Sequence, residues 1–214
     1  MAITSYDSLL PYVLTETEGV SYPLAISAIN RAVRRLCLES SCWFEWQSVT
    51  LVAGESDYQL TVPNVSAVVR NIKSVQIESS ELAPIPESVV SVDRPWLMLN
   101  SGTPTSYYAV NGVLHLMPTP TESDVGKSCR VKAAYIPQMD AQEADESLLD
   151  RHAETIAAGA KSQLLTMSGQ PWANPALAPV YFAEFEKGIA RARIEVEQSE
   201  SMSGLQVKKR RFGF

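Results

Sequence analysis

Apolar residues first fall into a helical rhythm at Ala25, Ile29, Ala32, Val33, Leu36 and Cys37, with Asn30, Arg31, Arg34 and Arg35 on the other face. Ser21 stands where a cap is needed and Pro23 falls in the first turn, so the pattern predicts a long helix from Ser21 to Cys42. A shorter helix is predicted around Tyr6 to Leu14, interrupted or offset by Pro11. From Trp43 the rhythm changes to period two: Val49 and Leu51, then Tyr58, Leu60 and Val62, alternate with polar residues on either side of a Gly54 turn. Further strands are predicted at Ile72 to Ile77 and Cys129 to Tyr135, while the proline-studded stretch Pro84 to Pro95 suits a sheet edge or an irregular loop. Asn111-Gly112, set between SYYAV and VLHLM, supplies the two positive-φ positions of a type I′ hairpin. Tyr108 and Val110 are therefore expected to pair against Val113 and His115 or their neighbours.

Helical spacing returns at Asp145 to Met167, where Leu148, His152, Ile156, Ala160, Leu164 and Met167 form one stripe that stops at Ser168-Gly169. A last helix is expected to open at Asn174-Pro175 and run to Gln198 through Leu177, Tyr181, Phe185, Ile189, Ala192 and Val196, with Pro179 loosening its first turn. The connector SGQPWANP is short, so these two helices should form an antiparallel pair that buries most of Tyr181 and Phe185. Periodicity ends after Glu200, and SMSGLQVKKRRFGF reads as a flexible tail.

The order helices, strands, helices predicts an α+β fold. Its N- and C-terminal helices, about 5–42 and 145–198, form a bundle into which an antiparallel β module, about 43–137, is inserted. The 214 residues are enough for a single domain, placed at 1–200, followed by the tail 201–214.

The formal net charge is −6, yet the run Lys208, Lys209, Arg210 and Arg211 contributes +4 of it, so the rest of the chain carries −10. A body of that sign does not grip a phosphate backbone, whose affinity comes from Lys and Arg displacing counterions. Cys37, Cys42 and Cys129 are odd in number and lack metal-ligand spacing, so buried free thiols are expected. The opening MAITSYDSLLPYVL has neither a basic start nor a small-residue cleavage site, which predicts a cytoplasmic product, and no apolar run is long enough for a membrane span.

Candidate chemistry is sparse. The sequence contains no GxxxxGK[ST], GxGxxG, GxSxG or HExxH motif. His115 falls in a predicted strand and His152 on an apolar helical stripe, so both read as satisfied structural residues rather than bases. Asp140, Glu143, Asp145 and Glu146 precede a helix, where carboxylates cap free amides; a calcium loop would need fixed spacing and a glycine turn. Trp43 and Trp46 either anchor the first long helix to the sheet or form a stacking platform, and anchoring is the expectation. No catalytic, metal or cofactor site is predicted.

Four segments give the chain a family likeness: SYDSLLPYVL with AISAINRAVRRLCLESSCWFEW, LVAGESDYQL, GTPTSYYAVNGVLHLMPTPTE, and LLDRHAETIAAGAKSQLL with PWANPALAPVYFAEFEKGIARAR. Together they resemble the head-to-tail adaptor proteins of tailed bacteriophages, also called head completion or connector proteins. The resemblance runs to about Arg193 and is most specific in the C-terminal helical pair. It implies a structural virion protein and no enzyme: a homo-oligomeric ring, of twelve copies in that family, bound beneath the portal protein. The ring joins the capsid to tail or tail-completion proteins and gives DNA a channel. Assembly then begins in the host cytoplasm and ends at the head-tail interface of the virion. On that reading the channel wall should be neutral to acidic, and the tail residues Leu205, Val207, Lys208, Lys209, Arg210, Arg211, Phe212 and Phe214 should dock on a partner.

Three rivals remain. A tail-tube or tail-terminator ring subunit would be richer in strands. A cell-wall hydrolase would need two carboxylates about 5–9 Å apart in a cleft. A general DNA-binding protein is disfavoured by the acidic body.

Overall fold

The computed structural model describes residues 2–64, 66–89 and 100–201. The chain opens with β1 (Ile3–Ser5), a 3-10 turn over Tyr6–Leu9, and the helices α1 (Leu10–Leu14) and α2 (Tyr22–Ser40). Eight strands follow: β2 (Phe44–Thr50), β3 (Asp57–Gln59), β4 (Ala67–Ile77), β5 (Ser80–Glu81), β6 (Ala83–Pro84), β7 (Ser106–Val110), β8 (Val113–Met117) and β9 (Ser128–Pro137). A short β10 (Glu143–Asp145) leads into α3 (Glu146–Leu165) and α4 (Ala178–Ser201). The class is α+β, with four α-helices among the described residues and mainly antiparallel sheets.

The stripe predicted for α2 is fully buried. Ser21 occupies the cap position but its hydroxyl bonds nothing there, and the helix stops at Ser41, a left-handed residue with φ 53°. The outer face is narrower than expected. Asn30 is buried, not exposed, because its amide donates to the carbonyls of Gln138 and Met139 at 3.1 and 2.7 Å. Arg34 donates to the Pro137 carbonyl beside it. A polar side chain at this point satisfies carbonyls left over where β9 ends, and period alone does not reveal that partner. The predicted first helix divides into the 3-10 turn and α1. Pro11, lacking an N–H, sits in the first turn of α1.

Asp145 caps α3 by accepting from the Leu148 N–H at 3.0 Å, and Leu148, His152, Ile156, Ala160 and Leu164 are buried as predicted. Met167 falls beyond the helix and is partly buried, and Gly169 takes a left-handed φ of 81° in the turn that follows. The last helix begins later than its sequence suggests. Asn174 Oδ1 accepts from the N–H groups of Ala176 and Leu177, and its carbonyl accepts from Ala178 at 3.1 Å, which closes a turn that leads into the helix. The helix proper starts at Ala178, because Pro179 can sit in a first turn but cannot donate inside one. Leu177 therefore lies outside the buried stripe, which comprises half-buried Tyr181 and buried Phe185, Ile189, Ala192 and Val196.

Helices α3 and α4 run antiparallel, with two glycines at their closest approach. A Cβ on Gly188 would lie 2.3 Å from Thr155 Cγ2, and one on Gly159 would lie 2.9 Å from Phe185 and 3.0 Å from Ala32 of α2. A side chain at Gly188 would require a helix to move, and one at Gly159 would require the Phe185 ring or Ala32 to give way.

The sheets are ordered β2-β9-β4-β5, β3-β8-β7-β6 and β1-β10. The sheets are antiparallel as expected apart from the two-residue pair of β6 with β7, and the pair β1-β10 adds strands outside the predicted 43–137 module. Strand β6 puts Pro84 at a sheet edge, as its chemistry requires, whereas residues 90–99 lie outside the described residues. The hairpin forms in the expected register, Tyr108 facing His115 and Val110 facing Val113, with φ of 51° at Asn111 and 80° at Gly112. Strand β4 has two irregularities, at Val69/Asn71 and Ile72/Ser74, which leave Arg70 and Lys73 without register partners. One apolar core unites the sheets with the helices, taking in Val75, Val131, Leu114, Ile29, Ile156 and Phe185.

Candidate interaction surfaces

The two histidines occupy different environments. His115 Nδ1 lies 2.8 Å from Asp57 Oδ1, and its ring stacks on Tyr108 with centroids 4.3 Å apart and planes 8° apart. It is satisfied, as expected, but on a partly open sheet face rather than in the core. His152 is buried at a break in α3, where φ and ψ are −117° and 18°.

The carboxylates before α3 serve structure. Asp145 caps the helix and also accepts from the Ser147 hydroxyl, while Glu143 accepts from Ser66 at 3.3 Å. No group of three or more metal-ligating side chains occurs among the described residues. Asp124, which drew no notice in the sequence, is the most heavily satisfied acid. Thr103, Lys127 and both the amide and hydroxyl of Thr121 donate to it within 2.6–3.0 Å. Burial opposes its charge, but these four donors outweigh burial and hold its carboxyl well below the ordinary range. It clamps the turn between β8 and β9 and has no open face for a ligand.

The two tryptophans separate, against the joint anchoring role expected for them. Trp43 is buried and tilts against Tyr135 with centroids 5.8 Å apart, tying the end of α2 to β9. Trp46 is 40% exposed beneath the Arg130 guanidinium, 4.8 Å from its centroid. Three residues apart on an extended chain, the two side chains leave by opposite faces. Next to Trp46, the Lys132 ammonium stands 4.1 Å over Phe44, so neighbouring positions of β2 and β9 carry two cation–aromatic pairs.

The apolar surface gathers where α4 starts. Leu177, Val180 and Phe182 are exposed, and beside them a groove of about 530 Å³ runs between Ser162 of α3, Thr166 just past its end, and Pro175, Pro179 and Phe182. It opens because the prolines delay α4 and leave its first turn without a covering element. Arg35 lies 5.3 Å over the Phe182 ring and pairs with Glu39 at 2.7 Å and with Glu186, giving the patch a polar border. Along the same helix pair, a second groove at Gly188 is lined by Glu154, Glu184, Lys187 and Arg191. Hydrophobic patches with charged borders are the form protein-docking surfaces take. The exposed start of α4 was missed in the sequence because Leu177 was assigned to a buried stripe.

The residues expected to dock, Leu205, Val207, Lys208, Lys209, Arg210, Arg211, Phe212 and Phe214, lie outside the described residues. No helix among the described residues is long and apolar enough to cross a membrane. A family model described as SU10 adaptor protein matches residues 4–208. No curated protein matches the chain.

Proposed function

The chain belongs to the SU10 adaptor protein family, and we propose on that footing that it is a structural subunit of a tailed-phage virion, a head-to-tail adaptor without catalytic activity. Twelve copies form a ring beneath the portal, join the capsid to tail or tail-completion proteins, and leave a channel through which DNA passes without sequence recognition. The N- and C-terminal helices act as one bundle with the β sheets projecting from it. Residues 1–200 are one domain, and residues 201–214 are a tail that docks on the portal or on the next copy.

The family match over nearly the whole chain carries this reading. It is supported by the exposed apolar start of α4 with its charged border, a surface suited to protein contacts. The −10 carried ahead of the Lys208–Arg211 run supports a channel wall that repels rather than retains DNA.

The test is to mix purified protein with portal rings and determine the symmetry of the product by particle imaging. A twelvefold ring seated on the portal is the expected result. Failure to bind portal, with assembly instead onto tail tubes, would move the protein to the rival role of tail-tube or tail-terminator subunit. Release of fragments from peptidoglycan would establish the hydrolase reading in its place.

A further inference from the structure

The prolines that delay α4 leave a groove whose lining carries no charge. Its walls include Ser162 and Thr166 on one side and Pro175, Ala178, Pro179 and Phe182 on the other. Two other grooves along the same helix pair are built differently. The one at Gly188 is lined by Glu154, Glu184, Lys187 and Arg191, and the one beside Tyr12 by Asp150, Arg151 and Glu195. Removing water from an uncharged, mostly apolar groove is favourable, so the start of α4 suits an apolar side chain. Its rim is acidic on balance, because Arg35 is shared between Glu39 and Glu186 and the trio keeps one net negative charge.

The chain itself carries a segment of matching chemistry. Residues 205–214, LQVKKRRFGF, combine four consecutive cations with Phe212 and Phe214. They lie outside the described residues, and they follow the end of α4, whereas the groove lies at its start. The 24 residues of α4 separate the two by about 36 Å. For Phe212 to enter the groove of its own subunit, the chain would have to reverse at Ser201 and run back about 29 Å to Phe182, while the eleven residues available reach at most about 40 Å. That path leaves little slack for the reversal, and it carries the four cations along a helix that exposes Lys187, Arg191 and Arg193. A second copy imposes neither restriction.

We propose that residues 205–214 of one copy dock in the α4 groove of the next, with the two phenylalanines against Pro175, Pro179 and Phe182 and the cations beside Glu39 and Glu186. The inference rests on the reading of the chain as a ring-forming adaptor and names the surface that its tail occupies. Complementary features at opposite ends of one subunit make a head-to-tail contact, which repeats from copy to copy and closes into a ring where the rotation allows. Aromatic anchors in an apolar groove with a charged rim supply the desolvated centre that such a contact needs.

The test uses the full chain with the photo-crosslinking residue benzoylphenylalanine at position 212. Copies grown in ordinary and in heavy-nitrogen medium are mixed equally, seated on portal rings and irradiated. Mass spectrometry of the digest should find position 212 joined to residues within 162–182, with about half of the joined pairs of mixed isotope, which only a contact between copies produces. Phe182→Ser should lower that yield about tenfold with an unchanged melt, because the ring is exposed. Thr166→Arg, which places bulk and a like charge on an exposed wall residue, should do the same. Val125→Ser, at an exposed apolar residue outside the groove, should leave the yield unchanged. Crosslinks confined to the portal or to the same copy, or a yield insensitive to both groove substitutions, would overturn the proposal. If no ring forms on the portal, the adaptor reading fails separately, and the crosslink is read on concentrated free protein. Mixed-isotope pairs at the groove then uphold the docking, and their absence overturns it.

Discussion

At the scale of single residues, the most consequential side chain is one without ligand-binding capacity. Asp124 is buried and accepts from Thr103, Thr121 and Lys127, so its carboxyl titrates well below the unfolded value of about 3.9. A depressed folded pKa contributes stability that is fully present above the unfolded pKa and is lost as pH falls toward the folded one. Asp124→Asn should therefore lower the urea midpoint by a constant amount between about pH 7 and about pH 5. Below about pH 4 the difference from wild type should shrink as the carboxyl of the unfolded chain takes up a proton that the native clamp still resists, and it should vanish only once the native carboxylate is protonated too. A gap that widens in acid would show that the clamp is not electrostatic. Gly112 is a second single-residue case. Its φ of 80° in the hairpin turn is a conformation that side chains resist, so Gly112→Ala should cost about 1 kcal/mol in chemical denaturation and leave the register unchanged.

Among the elements, the antiparallel pair α3 and α4 depends on the absence of side chains at its two closest points. A methyl group on Gly188 would overlap Thr155, which belongs to the backbone-proximal part of α3 and cannot swing away as a long side chain could. Gly188→Ala should destabilise the protein by about 1–3 kcal/mol, read as a lowered thermal midpoint, because the helices must separate or shift. The double substitution Gly188→Ala with Thr155→Ala should recover much of that loss by removing Thr155 Cγ2 and Oγ1, the two nearest atoms, and leaving only the Cβ contact at 2.8 Å. Phe185 provides the complementary test, since it is buried against Gly159 between the helices. Phe185→Ala should cost about 3–5 kcal/mol through the cavity it leaves. If Phe185→Ala were tolerated at under about 1 kcal/mol, the ring would not be part of a packed core.

For the whole molecule, charge and the C-terminal residues decide the expected behaviour. The −10 outside the Lys208–Arg211 run predicts weak DNA retention by an assembled ring, measured as negligible salt-dependent binding of duplex DNA to rings lacking residues 205–214. A continuous Lys and Arg belt facing the channel would contradict it. Deleting residues from Leu205 onward should leave the melt of the free protein unchanged and weaken binding to portal rings. The wild-type interaction should itself weaken with salt, through its four cations, and keep a salt-resistant share from Phe212 and Phe214. Portal binding that is unchanged at every salt concentration would remove the docking role. A lowered melt without a binding defect would place the segment in the fold of the subunit itself.

Local chemistry was enough to predict the elements whose stability is set nearby in sequence. The Asn111-Gly112 hairpin followed from two positive-φ positions, and the buried stripes of α2 and α3 followed from helical period, because turn geometry and amphipathicity act over a few residues. The absence of recognised catalytic motifs and the likeness to adaptor proteins could also be read from the chain. What the sequence did not disclose depends on partners distant along it. Asn30 is buried because carbonyls more than a hundred residues away need donors, and Trp46 is exposed because β2 pairs with β9 in the register that turns it outward. The start of α4 was displaced by a competition between the Asn174 turn and the missing N–H of Pro179, which pattern alone does not rank. The break in α3 at His152 is likewise unrecorded in the chain, because the helical spacing of apolar residues runs straight through it.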